Sequence, residues 1–307
     1  MRLFDVYPLY NVTPVSAKGN VVTDEKGQDY LDFYGGHAVI SIGHSHPTYI
    51  GKLKDQLDKI GFYSNAVQNP LQEELAHKLG KLSGCGDYHL FLCNSGAEAN
   101  ENALKLASFQ TGKSRVIAFN NAFHGRTSAA VAVTDNEKIN APLNKQQLVT
   151  FLPFEDMEGF TMEIGKGDVC AVILETIQGV GGLDMPSQGF YDHIAKLCKE
   201  HKVVLIADEI QCGYGRSGKF FAFQHYNIQP DIITVAKGMG NGFPIAGVLI
   251  HESIKASYGM LGTTFGGNHL ACAAGLAVLE VIEKENLIAN SANLFEYFKK
   301  KVADIPQ

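Results

Sequence analysis

Apolar residues occur along the middle of the chain in short, nearly continuous runs that alternate with longer segments of helical periodicity. Continuous runs rich in Val, Ile and Leu are typical of strands that helices cover on both faces, as in a mainly parallel sheet. The predicted strands are Leu90–Cys93, Arg115–Phe119, Leu148–Leu152, Val169–Glu175, Val203–Ala207, Ile232–Val235 and Ala246–Ile250.

Between these runs, apolar residues recur three or four positions apart, which predicts amphipathic helices. The predicted helices are Thr48–Ile60, Pro70–Leu82, Ala97–Thr111, Phe190–His201, His269–Lys284 and Ile288–Val302. Strands that alternate with helices in this way indicate an α/β fold with a mainly parallel central sheet.

The two ends of the chain differ from the middle. Residues 1–45 contain two short strand patterns, Gly19–Asp24 and Tyr30–Phe33, and are predicted to form an arm or part of a small domain. Residues 46–285 are predicted to form one large α/β domain. Residues 286–307 read as a helix followed by the start of a further element, so we expect a small C-terminal domain that is truncated here.

Composition and charge exclude several classes of protein. The net charge is −6 with a pI of about 6.0, and no strongly basic run points to nucleic acid. The six cysteines form no C-x-x-C pair, so we expect reduced thiols in a cytoplasmic protein. The N-terminus has no apolar signal core and no apolar run approaches ~18 residues, so neither a signal peptide nor a membrane span is expected.

Two of the predicted strands lead into charged residues. Asp208 follows the run 203–207, and Lys237 follows the run 232–235 after one alanine. Ligands of parallel α/β sheets bind at the carboxyl ends of the strands, so both side chains are expected beside a binding crevice. Taken separately, each residue has another interpretation. Asp208 could be a helix N-cap or a metal ligand, and Lys237 could be a surface lysine whose amine extends into solvent.

As a pair, the two residues suit pyridoxal 5′-phosphate (PLP). A lysine in a dry pocket has a lowered pKa and forms a Schiff base with an aldehyde. An acid beside the pyridine nitrogen keeps that nitrogen protonated, which lets the ring accept electrons. We therefore predict Lys237 as the Schiff-base lysine and Asp208 as the partner of the ring nitrogen.

The sharp turn from the strand HLFLC into an Ala- and Leu-rich helix offers a phosphate site. Ser95, Gly96 and Ala97 stand at this helix start, where free N–H groups and the positive end of the dipole favour an anion. Ser95 and Glu98 also match the S-x-x-E capping box, which occurs at many helices that bind nothing.

Residues 121–127 supply an aromatic ring and a cation after another strand. Phe123 is placed to stack on a cofactor ring, and the guanidinium of Arg126 suits a carboxylate. Arg126 alone would also suit a surface ion pair, and His124 is predicted to be a hydrogen-bonded structural histidine.

Three further patterns are weaker evidence about a binding site. The spacing of His44 and His46 resembles that of two metal ligands, but no third ligand lies at a suitable spacing, so we predict no metal site. The segment 262–269 holds hydroxyls and glycines before a helix, which suits either a second contact to phosphate or a capped loop. No G-x-G-x-x-G follows a first strand, which disfavours dinucleotide binding.

Taken together, these segments resemble the class III aminotransferases of PLP fold type I, and most closely the acetylornithine/succinylornithine aminotransferase group. The motifs occur in the family order from about residue 10 to about residue 300: SGAEAN, NAFHGRT, ETIQG, DEIQ-x-G-x-GR-x-G, AKGMGNGFP and GTTFGGN.

The resemblance implies a role for each motif residue. It assigns the Schiff base to Lys237 and the ring nitrogen to Asp208, and it places Gln211 near the ring hydroxyl. It also implies that Ser95, Gly96 and Ala97 bind the phosphate and that Phe123 stacks on the ring face. Arg126 is implied to bind a substrate carboxylate, and Glu175 and Thr263 to contact substrate. Thr264 is implied to contact the cofactor phosphate of the partner subunit. A homodimer with shared active sites follows from the last of these.

The resemblance also implies the reaction. We expect the terminal amino group of an acyl-ornithine to pass to 2-oxoglutarate, giving a semialdehyde and glutamate. The chain departs from the family in two ways. Val180 stands where the family pattern has a second glutamate. Family members also usually continue for roughly 70–100 residues beyond the position that corresponds to residue 307, into a small C-terminal domain. A transaminase for ornithine or 4-aminobutyrate, or a truncated homologue that binds PLP without turnover, therefore remains an alternative.

Overall fold

The computed structural model describes residues 1–303 and residue 305; Asp304, Pro306 and Gln307, at the end of the predicted C-terminal segment, lie outside the described residues. The strands of the described part are β1 (Pro14–Lys18), β2 (Val21–Asp24), β3 (Asp29–Leu31), β4 (Tyr88–Cys93), β5 (Arg115–Phe119), β6 (Val149–Leu152), β7 (Val169–Glu175), β8 (Val204–Asp208), β9 (Ile232–Val235) and β10 (Ala246–His251).

The seven strands from β4 onward form one sheet in the order β4-β10-β9-β8-β7-β5-β6. Strands β9, β8, β7, β5 and β6 run parallel, whereas β10 runs antiparallel to both β9 and β4. The predicted α/β class and mainly parallel sheet are confirmed. The four strands β5, β7, β8 and β9 are buried at every position, which explains their continuous apolar sequences.

Helices cover this sheet on both faces. The helices of the described part are α1 (Gly35–Ala38), α2 (Pro47–Leu57), α3 (Pro70–Ser83), α4 (Gly96–Thr111), α5 (Ser128–Ala132), α6 (Met157–Ile164), α7 (Gln188–His201), α8 (His269–Lys284) and α9 (Leu287–Val302). Alternate residues of β8 belong to different core clusters, with Leu205 and Ala207 in one and Val204 and Ile206 in the other. The sheet is therefore the middle of three layers.

The elements α1, β1, α5 and α6 were not predicted from the sequence. Strand β1 contains one bulky apolar residue, and its pairing with β2 makes it part of a three-stranded antiparallel sheet. Helices α5 and α6 have five and eight residues, too few to establish a helical period. Helix α6 begins where Asp156 Oδ1 accepts a hydrogen bond from Gly159 N at 2.8 Å, and it buries Phe160 and Ile164.

The N-terminal sheet β1–β3 is separate from the central sheet, and α9 has no buried residue. The proposed division at residues 45 and 285 stays a prediction. Within the described residues, every helix is too short or too polar to cross a lipid bilayer.

Register places chemistry at one edge of the central sheet. Glu175, the last residue of β7, pairs with Asp208, the last residue of β8, and Asp208 in turn pairs with Thr234 of β9. Since these strands are parallel, their carboxyl ends meet at the same edge.

Candidate active site

Asp208 is held at the end of β8 by three donors. Its Oδ2 accepts hydrogen bonds from His124 Nδ1 at 2.7 Å and Asn100 Nδ2 at 2.8 Å, and its Oδ1 accepts one from Ile210 N at 3.0 Å. Only 2% of Asp208 is exposed. Buried polar groups need hydrogen-bond partners, and these three donors engage both oxygens of the carboxyl group.

Asn100 extends the support by one further layer. It is fully buried in α4, and its Nδ2 also donates to the backbone oxygen of His124 at 2.7 Å. Its Oδ1 accepts from Thr234 Oγ1 of β9 at 2.8 Å. The network therefore ties the carboxylate to a helix, a loop and the adjacent strand, which fixes its orientation. The predicted role of His124 as a hydrogen-bonded histidine is confirmed.

Lys237 follows β9 and is half-buried. Burial lowers the pKa of its amine, while the nearby charges of Asp208 and Glu175 partly oppose this shift. A lowered pKa increases the fraction of free amine, which is the nucleophilic form. The backbone of Lys237 has a φ of 44°, in the left-handed region that residues other than glycine seldom adopt.

The start of α4 faces the same edge of the sheet. Ser95 is the N-cap residue, and its Oγ accepts a hydrogen bond from Glu98 N at 3.2 Å. The reciprocal half of the predicted capping box is shifted by one residue, because Glu98 Oε2 accepts from Asn94 N at 2.9 Å instead. A Cβ on Gly96 would lie 2.9 Å from two side-chain carbons of Ile210, so this cradle admits only glycine without rearrangement.

The loop after β5 approaches this helix start closely. Gly125 has a φ of 142°, and a Cβ there would lie 2.7 Å from the Cβ of Ala97. Glycine is therefore required for the loop to bring Phe123 and Arg126 to the cavity. The side chain of Arg126 is exposed at the cavity edge, and Phe123 is half-buried.

Glu175 joins two loops at the sheet edge. Its Oε1 accepts from Phe123 N at 2.9 Å and its Oε2 accepts from Gly179 N at 3.0 Å. Burial raises the pKa of Glu175, and the His124 ring and these two backbone donors oppose the rise. Both oxygens are engaged with backbone, so Glu175 positions the aromatic loop in addition to lining the cavity.

One cavity of about 380 Å³ brings these groups together. The predicted site residues that line it are Ser95, Gly96, Ala97, Phe123, Arg126, Glu175, Asp208, Gln211 and Lys237. Thr263 and Thr264 do not line it; Thr263 Oγ1 accepts from Asn94 Nδ2 at 3.2 Å, and Thr264 is exposed.

Other residues of the site were missed by sequence reasoning. Those lining the cavity include Val39, Ile210, Phe243, Pro244 and Ile245, and those supporting Asp208 are Asn100 and Thr234. Thr234, the polar residue of the apolar strand β9, was the available signal, because buried polar groups need partners; Asn100 lies among other polar residues of α4 and gave no such signal.

The donor set fits PLP. An amine, an acid, an aromatic ring and a helix N-terminus surround one cavity large enough for a cofactor. These groups match the aldehyde, the ring nitrogen, the ring face and the phosphate respectively.

Within the described residues, no cluster of histidine, cysteine and acidic side chains is arranged to hold a metal ion. His44 Nε2 contacts Asp32 Oδ2 at 2.7 Å, and His46 Nε2 contacts Glu285 Oε1 at 2.9 Å. The two histidines that suggested a pair therefore have separate carboxylate partners.

Comparison of the sequence with known families matches residues 6–307 to "Aminotransferase class-III". An acetylornithine aminotransferase from Bacillus subtilis (strain 168) is 43% identical over 303 residues, covering 98% of this chain and 78% of the relative. An acetylornithine aminotransferase from Archaeoglobus fulgidus is 40% identical over 306 residues, covering 99% of this chain and 81% of the relative.

Solved structures agree in fold. An ornithine aminotransferase from Toxoplasma gondii ME49 superposes with a TM-score of 0.90 at 29% identity, covering 97% of this chain and 73% of that one. An S-selective transaminase from Arthrobacter sp. with alanine bound also gives a TM-score of 0.90, at 28% identity, covering 99% of this chain and 74% of that one.

Proposed function

The chain belongs to the class-III aminotransferases and is a PLP-dependent aminotransferase, and we propose that it transfers the terminal amino group of acetylornithine to 2-oxoglutarate. The products are the corresponding semialdehyde and glutamate, which places the reaction in arginine biosynthesis. The observation that carries the proposal is the single cavity shared by Lys237, Asp208 and the start of α4.

Each residue then has a defined task. Bound PLP supplies an aldehyde for the amino group and a ring that accepts electrons. Lys237 would hold the cofactor between turnovers and, as a free amine during turnover, would carry the proton removed from the substrate carbon. Asp208 would pair with the protonated ring nitrogen, and its three donors hold its carboxyl group in a fixed orientation.

The other contacts follow from position. Ser95, Gly96 and Ala97 would hold the phosphate at the helix start, and Phe123 would stack on the ring. Gln211, half-buried in the cavity wall, would lie near the ring hydroxyl. Arg126 is proposed to bind a substrate carboxylate and Glu175 to contact substrate; Thr263, which lies outside this cavity, is proposed to contact substrate in an active site shared with a second copy.

Acetylornithine is preferred over ornithine or 4-aminobutyrate because the acetylornithine aminotransferases are 38–43% identical to this chain. The ornithine aminotransferase structure from Toxoplasma gondii is 29% identical. Val180, where the family pattern has a glutamate, is 64% exposed and does not line the cavity, so its change leaves the cofactor site intact.

We further propose a cytoplasmic homodimer. Thr264 is exposed and lies outside this chain's own cavity, which suits a contact to the cofactor phosphate of a second copy. Large apolar side chains are exposed near it and in the N-terminal region, including Phe62, Tyr63, Phe265, Phe33 and Tyr34. A second copy would remove this apolar surface from water. All six cysteines are free and buried, which suits a reducing compartment.

The test uses the cofactor's own absorbance. Protein reconstituted with PLP should show a visible band that Lys237→Ala abolishes, while Asp208→Ala should keep some cofactor and lose turnover by about two orders of magnitude or more. A band that persists in Lys237→Ala, or near-normal turnover in Asp208→Ala, would contradict the assigned roles. A steady-state panel of acetylornithine, ornithine and 4-aminobutyrate tests the substrate; a higher kcat/KM for either alternative rejects the proposed one.

A further inference from the structure

Asn241, in the loop that carries Lys237, forms hydrogen bonds with a segment almost two hundred residues earlier in the chain. Asn241 is 6% exposed. Its Oδ1 accepts hydrogen bonds from Ser41 N at 2.8 Å and Ile42 N at 3.1 Å, and its Nδ2 donates to Gly43 O at 3.0 Å. One side chain therefore holds three consecutive residues of the N-terminal region.

Two further hydrogen bonds connect the same parts of the chain. Ser41 Oγ donates to Gly238 O at 2.7 Å, and Tyr49 Oη donates to Gly240 O at 2.7 Å. Gly238 directly follows Lys237, so the N-terminal segment is in contact with the backbone that sets the direction of the lysine side chain.

This backbone adopts conformations that need support. Lys237 has a φ of 44° and Asn241 a φ of 47°. Asparagine tolerates the left-handed region better than most residues, whereas lysine seldom adopts it unless its surroundings impose it. Gly240 is equally constrained, because a Cβ there would lie 2.1 Å from Phe243 O. The loop is therefore a tight turn whose geometry depends on contacts outside it.

The anchored segment also reaches the cavity. Val39 lines the cavity beside Lys237, and it lies two residues before Ser41. Holding residues 41–43 against the lysine loop thus fixes one wall of the cavity relative to the amine.

We propose that Asn241 is a positioning residue for Lys237, which acts by fastening residues 41–43 to the lysine loop. This inference rests on the proposed role of Lys237. Asn241 does not line the cavity, so it acts through the backbone of the turn and not through contact with cofactor or substrate.

The test compares two asparagine-to-glycine variants of the PLP-loaded protein. Asn241→Gly keeps the left-handed backbone accessible and removes all three hydrogen bonds. Asn286→Gly is the matched control, because Asn286 has a φ of 51° and makes no side-chain capping bond. The readouts are the pH midpoint of the cofactor's visible absorbance, kcat and KM with acetylornithine and 2-oxoglutarate, and Tm.

Asn241→Gly is expected to shift the absorbance midpoint by about half a pH unit or more and to lower kcat roughly 10- to 100-fold, since small misplacement of a reacting group is costly. KM should change by less than about threefold, because the binding groups remain. Asn241→Asp, which keeps the oxygen that accepts from Ser41 and Ile42, should recover part of kcat. Asn286→Gly should leave midpoint and kcat at wild-type values.

A wild-type midpoint and kcat in Asn241→Gly, or changes no larger than those of Asn286→Gly, overturn the inference. If Asn241→Gly does not fold, Asn241→Asp takes its place, because it removes the donor to Gly43 O and keeps the acceptor for Ser41 N and Ile42 N; a wild-type midpoint and kcat in that variant also overturn the inference. Lys237→Ala distinguishes failure of the proposed function from failure of this inference. If the visible band persists in Lys237→Ala, the proposed function is refuted. If the band is lost in Lys237→Ala but is unchanged in Asn241→Gly, only the role of Asn241 is refuted.

Discussion

Replacing His124 with phenylalanine tests how much of catalysis depends on the support of Asp208. His124→Phe keeps a flat ring in a fully buried position and removes one of the two donors to Asp208 Oδ2. The backbone bonds of residue 124, from its N to Thr134 Oγ1 and from Asn100 Nδ2 to its O, do not depend on the side chain. The fold should therefore survive the change.

The size of the effect follows from the bond that is lost. A hydrogen bond to a charged group contributes about 1.5–3 kcal/mol. If that energy is lost from the transition state, kcat/KM falls roughly 10- to 150-fold, at ~1.4 kcal/mol per factor of ten. Asp208 retains Asn100 Nδ2 and Ile210 N, so the loss should stay well below that of Asp208→Ala.

The assay is steady-state turnover of acetylornithine with 2-oxoglutarate, together with the cofactor content read from visible absorbance. His225→Phe is the control, because His225 is exposed and, among the residues that the structure describes, its ring forms hydrogen bonds with Ser217 alone. A kcat/KM of His124→Phe within about twofold of wild type, at full cofactor content, would refute the reasoning that this hydrogen bond supports the acid.

Two further changes probe the cavity walls and the buried amine. In Gly179→Ala the new Cβ would lie 1.6 Å from Gln211 Oε1, so the Gln211 side chain must move. The Kd for PLP should therefore rise about tenfold or more, measured by spectral titration. An unchanged Kd would contradict a contact between Gln211 and the cofactor. Lys237→Met should stabilise the cofactor-free protein at pH 7 in urea unfolding, because burial lowers the pKa of the amine from 10.5 and penalises its charge. That gain should shrink as pH rises through the folded pKa toward 10.5; a gain independent of pH would exclude the amine's charge as its cause.

The local pattern of the chain determined its elements and the chemistry at their ends. Runs such as Val169–Glu175 and Ile232–Val235 are strands with the predicted bounds, because a strand buried on both faces must be apolar throughout. Asp208 and Lys237 could be singled out because each is a charged residue that interrupts such a run at the end where ligands bind.

Long-range contacts decided the rest. The antiparallel placement of β10 between β4 and β9 has no local signature, since β10 is mostly apolar, like the parallel strands of the same sheet. The partners of Asp208 come from positions 100 and 124, and those of Asn241 from positions 41–43. Hydropathy and spacing along the sequence indicate whether each residue of an element is buried or exposed. Hydrogen bonds between distant residues form only when separate elements pack together. Only the tertiary structure therefore shows which buried polar groups are partners.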